Sequence, residues 1–218
     1  EALVERVDAF KQRTRLEPNR RERRDLKEEV YADLLPKALL KSDRVQAMYL
    51  GKEKILLLGT AAESVAEDFM KNLGRAMLSF QYVPLTFKQP VADFIKRIFM
   101  GGKAEAFTLA HECRMRDPAD SRVSVNWLDV ELADPAVRRH VDEGLKIDRL
   151  GLHFDQLLQL VLDEDLVIRK LKLLDQNETD QLPDEDPLAA HDAHFVMMAG
   201  CMQGLLNALS AELGGSNG

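Results

Sequence analysis

Cysteine is scarce: Cys113 and Cys201 stand alone and far apart. Two such residues support neither a disulfide framework nor a cysteine metal site, and they suit a reducing cytosol. No apolar run approaches the ~18–20 residues that a membrane helix needs, so no spanning helix is expected. The opening Glu1-Ala2-Leu3 lacks the character of a signal peptide. An overall surplus of positive charge is missing as well. The net charge of −7 argues against a general nucleic-acid binder. What the chain does have is apolar material, 45% of 218 residues, enough for one large domain or two small ones.

Charge is segregated along the chain. Lys11 to Lys27 carries eight basic residues (Lys11, Arg13, Arg15, Arg20, Arg21, Arg23, Arg24 and Lys27) against Glu17, Glu22 and Asp25, a surplus of five. Asp175 to Asp192 carries seven acids and neither Lys nor Arg. A local basic surface can therefore exist on an acidic protein.

Helical spacing of Leu3, Val4, Val7 and Phe10 predicts a helix over 2–16, broken at Pro18. Leu26, Val30, Leu34 and Leu35 predict a second helix over 19–41, kinked or ended by Pro36. Together they read as a projecting arm over 1–42, because their polar faces far exceed their apolar ones. Residues 43–133 form a second expected unit. It begins with a hairpin around Gly51-Lys52-Glu53, followed by a helix to Phe80 opened by a Thr60/Glu63 capping box. A short edge strand over 82–87 and a helix opened by Pro90 come next, then strands over 106–109 and 122–128. Residues 134–218 form the third. Asp134-Pro135 starts a helix capped by Gly144, and Asp186-Pro187 starts a last helix with Phe195, Met198, Met202, Leu205 and Leu209 facing inward. The class is α+β.

Between those helices lie three short alternating runs, 145–154, 156–162 and 166–174, with the acidic turn Asp163-Glu164-Asp165 before the last. Period-two alternation marks strands with one buried face, and turns this short join antiparallel neighbours. Leu150, Leu152 and Phe154 share one face; Ile147, Arg149, Gly151 and His153 share the other. The polar side of this meander carries Arg149 with either Arg169 or the Lys170/Lys172 pair, according to register.

Several segments resemble the RdgC family of bacterial recombination-associated proteins. They are Asp25-Leu26-Lys27-Glu28-Glu29-Val30 with Leu34-Leu35-Pro36-Lys37-Ala38, then Val83-Pro84-Leu85, Phe107-Thr108-Leu109 with Glu112-Cys113, His140 to Gly144, Arg169-Lys170-Leu171-Lys172, and Ala193 to Met198 running on to Leu213-Gly214-Gly215. Their order over nearly the whole chain carries the resemblance; no single motif is diagnostic. It implies a ring-like homodimer that encircles double-stranded DNA without sequence preference and restrains RecA. RecA or a full-length RdgC-type relative would be a further partner. It also implies a cytoplasmic, nucleoid-associated place, whereas the expectation of no enzymatic activity rests on the placement of the acidic residues. Family members carry strands ahead of the arm, so a chain starting at the arm is expected to be a short or truncated member. Asn126-Trp127-Leu128-Asp129 lies where members tend to be basic.

The candidate DNA-binding residues are Arg13, Arg15, Arg20, Arg21, Arg23 and Arg24 on the arm, and Arg149, Arg169, Lys170 and Lys172 on the meander. Arginines on adjacent helical turns can track a phosphate backbone. The same arginines also suit a solvated face with i,i+4 pairs such as Arg21–Asp25 and Arg24–Glu28, and Lys on an exposed sheet keeps edges from pairing. Leu34, Leu35, Pro36 and Leu39 form an apolar end to the arm, either packed on the body or touching a dimer partner. His191 and His194 have chelating spacing but no third ligand, so no metal and no cofactor are expected. Met197, Met198 and Met202 read as core filler, and Trp127 either stacks on a base or is buried. A metal-dependent nuclease would need carboxylates fixed on strands. Here they cluster in a turn and a linker, where solvated acids are the default. A protein-interaction module without DNA binding is the remaining alternative.

Overall fold

A computed structural model describes residues 2–38, 44–120, 122–174 and 187–217. The chain divides into two compact units, Glu1–Arg44 and Val45–Gly218.

The first unit is a helical hairpin of α1 (Ala2–Thr14) and α2 (Arg20–Leu34), closed by a 3-10 turn over Leu35–Lys37. Pro18 is buried in the turn between the helices. Asn19 then opens α2 through a capping box. Its side chain accepts from the backbone N–H groups of Arg21 and Glu22 at 2.9 and 3.0 Å, and the Glu22 carboxylate accepts from the Asn19 N–H at 2.8 Å. Pro36 ends α2 as expected, and Leu39 lies outside the described residues. Val7 is buried between the helices, and an Arg6–Asp33 ion pair ties the two open ends together. Of the two i,i+4 pairs read from the sequence, Arg24–Glu28 forms at 3.5 Å and Arg21–Asp25 does not.

The second unit is built on a five-stranded antiparallel sheet. Its strands are β3 (Phe107–Arg116), β4 (Ser124–Leu128), β5 (Lys146–Phe154), β6 (Leu158–Asp163) and β7 (Ile168–Leu173), in the order β4-β3-β5-β6-β7. A separate hairpin pairs β1 (Ala47–Leu50) with β2 (Ile55–Leu58). Among the described residues, four helices complete the unit: α3 (Glu63–Ala76), α4 (Val91–Phe99), α5 (Pro135–Asp142) and α6 (Pro187–Glu212). One face of the sheet is the core. Cys113, Met115, Leu150, Leu152, Leu158, Leu160 and Leu162 meet Phe94, Ile95, Ile98 and Phe99 of α4 and Leu205 and Leu209 of α6 there. The Asp134 cap of α5 and the left-handed Gly144 after it (φ +108°) form as read from the sequence. Near the start of α6, the described residues line an apolar groove of about 1200 Å³ together with β2 and β7.

Several local expectations fail for physical reasons. Thr60 accepts only from the Ala62 N–H (3.2 Å), and Ala62 starts α3 without a side-chain cap, so no capping box forms. The helix stops at Ala76, short of Phe80. No strand forms over 82–87, where Pro84 removes a donor and only Phe87 bridges, to Ser216. Phe195 and Met197 are exposed rather than inward or core, whereas Met202 is buried.

The sheet contains three irregularities. Arg114 faces Arg149 but Met115 faces Ile147, so Asp148 is an extra residue on β5. Ile147 therefore joins the core, correcting its sequence-based placement on the polar face. Between Gln159↔Lys172 and Val161↔Arg169, β7 carries one residue more than β6, and Lys170 adopts left-handed φ +51° there. A third shift lies between Leu109 and Cys113 on β3, opposite Gly151. A Cβ at Gly151 would stand 2.9 Å from the Glu112 carbonyl oxygen, so the glycine is required by this close approach.

Four arginines within the first five residues of α2 oppose its helix dipole, so the capping box matters more than usual. Replacing Asn19 with Ala is expected to cost about 1 kcal/mol locally. Amide exchange in the first turn of α2 should then quicken about fivefold, with α4 unchanged.

Candidate functional site

The outward face of the sheet gathers charge from four strands. On β3, Arg114 and Arg116 flank the buried Met115 and point away from the core. The extra residue Asp148 on β5 turns its carboxylate to the same side. Arg114 donates to it through Nε (2.9 Å) and Nη2, and Arg116 donates through Nη2. Next to this cluster, Asp163 at the end of β6 accepts from Arg149 Nε at 3.1 Å and from Arg169 Nε at 3.3 Å, both on Oδ2. Its Oδ1 accepts from the Asp165 N–H at 3.2 Å. Lys170 Nζ donates to both oxygens of Glu112 at 2.7 Å. Lys172 has no ion-pair partner among the described residues. Glu112, Gly151, Gln159, Lys170 and Lys172 border a depression of about 180 Å³.

Asp148 and Asp163 are 2% and 6% exposed. Both are acids at sequence positions where solvation was the default reading or no role was assigned. Burial of Asp163 corrects that default: it is a structural counter-charge shared by two arginines. Each buried carboxylate holds two guanidiniums, so each cluster keeps one positive charge in excess. The guanidiniums stay reachable from solvent, with side-chain exposures of 21–35%.

Electrostatics follow the same geometry. Burial alone would raise the Asp148 carboxyl, but the hydrogen bonds and charges of Arg114 and Arg116 outweigh it and hold the group below its ordinary value. The hydrogen bond to Asp148 raises Arg114. Glu164 is raised, first by burial and then by the neighbouring Asp148 and Asp165 charges. The Cys113 thiol is pushed up to about 12, mainly by burial, then by Asp148 and Glu112, which leaves it a packing residue.

All four candidate residues of the meander fall on this one face. The sequence offers Arg149 with either Arg169 or the two lysines; the structure removes that choice, because the extra residue on β7 lets Arg169, Lys170 and Lys172 share a side. Sequence reasoning missed Arg114, Arg116 and the two buried aspartates. The pattern Glu112-Cys113-Arg114-Met115-Arg116 carried a signal, since polar and apolar residues alternate there. The six arginines of the arm are all exposed around the turn end of the helical hairpin. Among the described residues, Arg13, Arg15, Arg20, Arg21 and Arg23 have no carboxylate partner, and Arg13 lies over the Phe10 ring at 5.9 Å. Leu34, Leu35 and Pro36 are exposed at the other end of the hairpin. Trp127 is half-buried against His140, with ring centroids 5.5 Å apart. His191 and His194 line the apolar groove, and no group of three or more metal-ligating side chains occurs among the described residues. The acidic run 175–186 lies outside them. No helix among the described residues is long and apolar enough to cross a membrane.

Residues 1–216 match the protein family described as "Putative exonuclease, RdgC". Over 218 residues the chain is 29% identical to the recombination-associated protein RdgC of Shewanella sp. (strain MR-4), covering 99% of this chain and 72% of that protein. Proteins of the same description from Shewanella halifaxensis and Shewanella oneidensis are 28% identical over the same shares.

The depressed Asp148 carboxyl makes a signed pH prediction. A lowered folded value contributes stability that is fully present above the ordinary carboxylate value near 4 and is lost as pH falls through the folded value. Asp148→Asn is expected to cost about 2 kcal/mol at neutral pH, discounted for the partly solvated arginines. In urea titrations the gap between parent and variant should hold down to about pH 5 and shrink below about pH 4. A gap independent of pH would contradict the assignment.

Proposed function

Because the chain belongs to the RdgC family, we propose that it binds double-stranded DNA without sequence preference, as a homodimer that modulates RecA-dependent recombination and does no chemistry on the DNA. The observation that carries this reading is the outward sheet face. Arg114, Arg116, Arg149, Arg169, Lys170 and Lys172 stand there against three paired carboxylates, Asp148, Asp163 and Glu112. Side chains fixed on strands suit contact with a regular phosphate backbone, and affinity then comes from counterion release rather than base reading. The unpaired arginines at the turn end of the arm supply a second basic surface of the same kind. The exposed Leu34, Leu35 and Pro36 supply apolar surface for a dimer contact. An overall charge of −7 does not oppose this, since steering depends on the local field.

The test is fluorescence anisotropy with a labelled duplex across a salt series, with and without Mg²⁺. Log K should fall linearly with log salt, with a slope of about −0.9 for each phosphate neutralised, and should not depend on sequence. Lys172→Glu should weaken binding and flatten the slope by about one. An intact label in the presence of Mg²⁺ supports binding alone. Progressive loss of the label would instead favour the exonuclease named in the family description.

A further inference from the structure

We infer that Arg149 and Arg169, held by Asp163, form a clamp for one phosphodiester group of the DNA backbone, with Asp163 as its positioning residue. This deepens the reading above and rests on it. Both arginines reach Asp163 through Nε, at 3.1 and 3.3 Å, and both use the same oxygen. Among the described residues, the terminal amino groups of both guanidiniums have no protein partner. The far edge of each fork is thus left for an anion with paired acceptor oxygens, the geometry in which a guanidinium binds phosphate best. The other oxygen of Asp163 is taken by the Asp165 N–H, so the carboxylate cannot swing away without losing three hydrogen bonds. Arg114 differs: it spends Nε and Nη2 on Asp148 and has less to offer a ligand. Register supports the pairing, because Arg149 lies directly opposite Asp163 and Arg169 directly opposite Val161, so the two arginines flank β6 from either side.

The clamp makes a prediction opposite in sign to simple charge counting. Asp163→Asn removes a negative charge from the DNA-facing surface, and charge alone would tighten DNA binding. Loss of positioning should weaken it. For a fluorescein-labelled duplex at fixed salt, Kd should rise about fivefold or more and the salt slope should flatten by about one. Glu105→Gln, the same charge change at an exposed residue outside the site, should leave Kd unchanged or slightly tighter. Since Asp163 is buried, the variant's folding is followed by its melting transition. If Asp163→Asn does not fold, the charge-conserving Arg149→Lys and Arg169→Lys decide the matter: a lysine cannot hold Asp163 and present a fork together, so Kd should rise in each. Binding by Asp163→Asn as tight as the parent's or tighter, or lysine variants within about twofold of the parent, overturns the clamp while leaving DNA binding in place. A parent chain that shows no salt-dependent binding overturns both.

Discussion

A carboxylate taken out of water must have a cation beside it, or the sheet that contains it loses several kcal/mol. Asp148 and Asp163 are both almost fully buried, on the face of the sheet that has no core behind it. Each takes two arginines, and those four arginines come from three different strands. The pairing thus ties β3, β5, β6 and β7 together on one side as apolar packing does on the other. It also leaves the face positive, because two guanidiniums surround one acid. Stability and surface charge come from the same contacts, so removing one cation leaves its buried aspartate with a single arginine and lowers the positive charge of the face at the same time.

Irregular strands make this arrangement possible. In an uninterrupted strand, Asp148 would share a side with Leu150 and Leu152 and would face the core. The extra residue on β5 moves it to the outer face and returns Ile147 to the core. The extra residue on β7 does the same service for its cations. It keeps Ile168, Leu171 and Leu173 against the core while Arg169, Lys170 and Lys172 face outward together. Lys170 adopts a left-handed backbone conformation to do so and is held by Glu112 from across the sheet. Non-glycine residues seldom take that conformation, and here a fixed ion pair accompanies it.

Much of the fold was legible in the sequence, and its failures have particular causes. Helix α4 and helix α5 follow directly from Pro90, from Asp134-Pro135 and from the glycines that end them. The meander follows from its alternation and its short turns. The bulges were not legible, because period-two reasoning assumes an uninterrupted strand and nothing in the composition of 147–149 marks an extra residue. The bulge hides the buried role of Asp148, and the turn beside Asp163, where acids are ordinarily solvated, hides the other; only the register reveals four arginines converging on them. Thr60/Glu63 has the spacing of a capping box, but the N-cap of α3 is Ala62 rather than Thr60. The exposure of Phe195 and Met197 could not be read from a helix that is apolar on nearly every side.

In the proposed reading, the guanidiniums of the outer sheet face are ordered before any ligand arrives and are the groups that meet phosphate. Side-chain NMR of the ¹⁵N-arginine-labelled chain, free and with a short duplex, tests this most directly. Slowly exchanging Nε–H signals are expected for Arg114, Arg149 and Arg169 in the free protein, unlike the solvated Arg13, with shifts in the terminal amino signals of Arg149 and Arg169 when duplex is added. Fast exchange at all of these sites, or terminal signals that do not move in the presence of DNA, would contradict it.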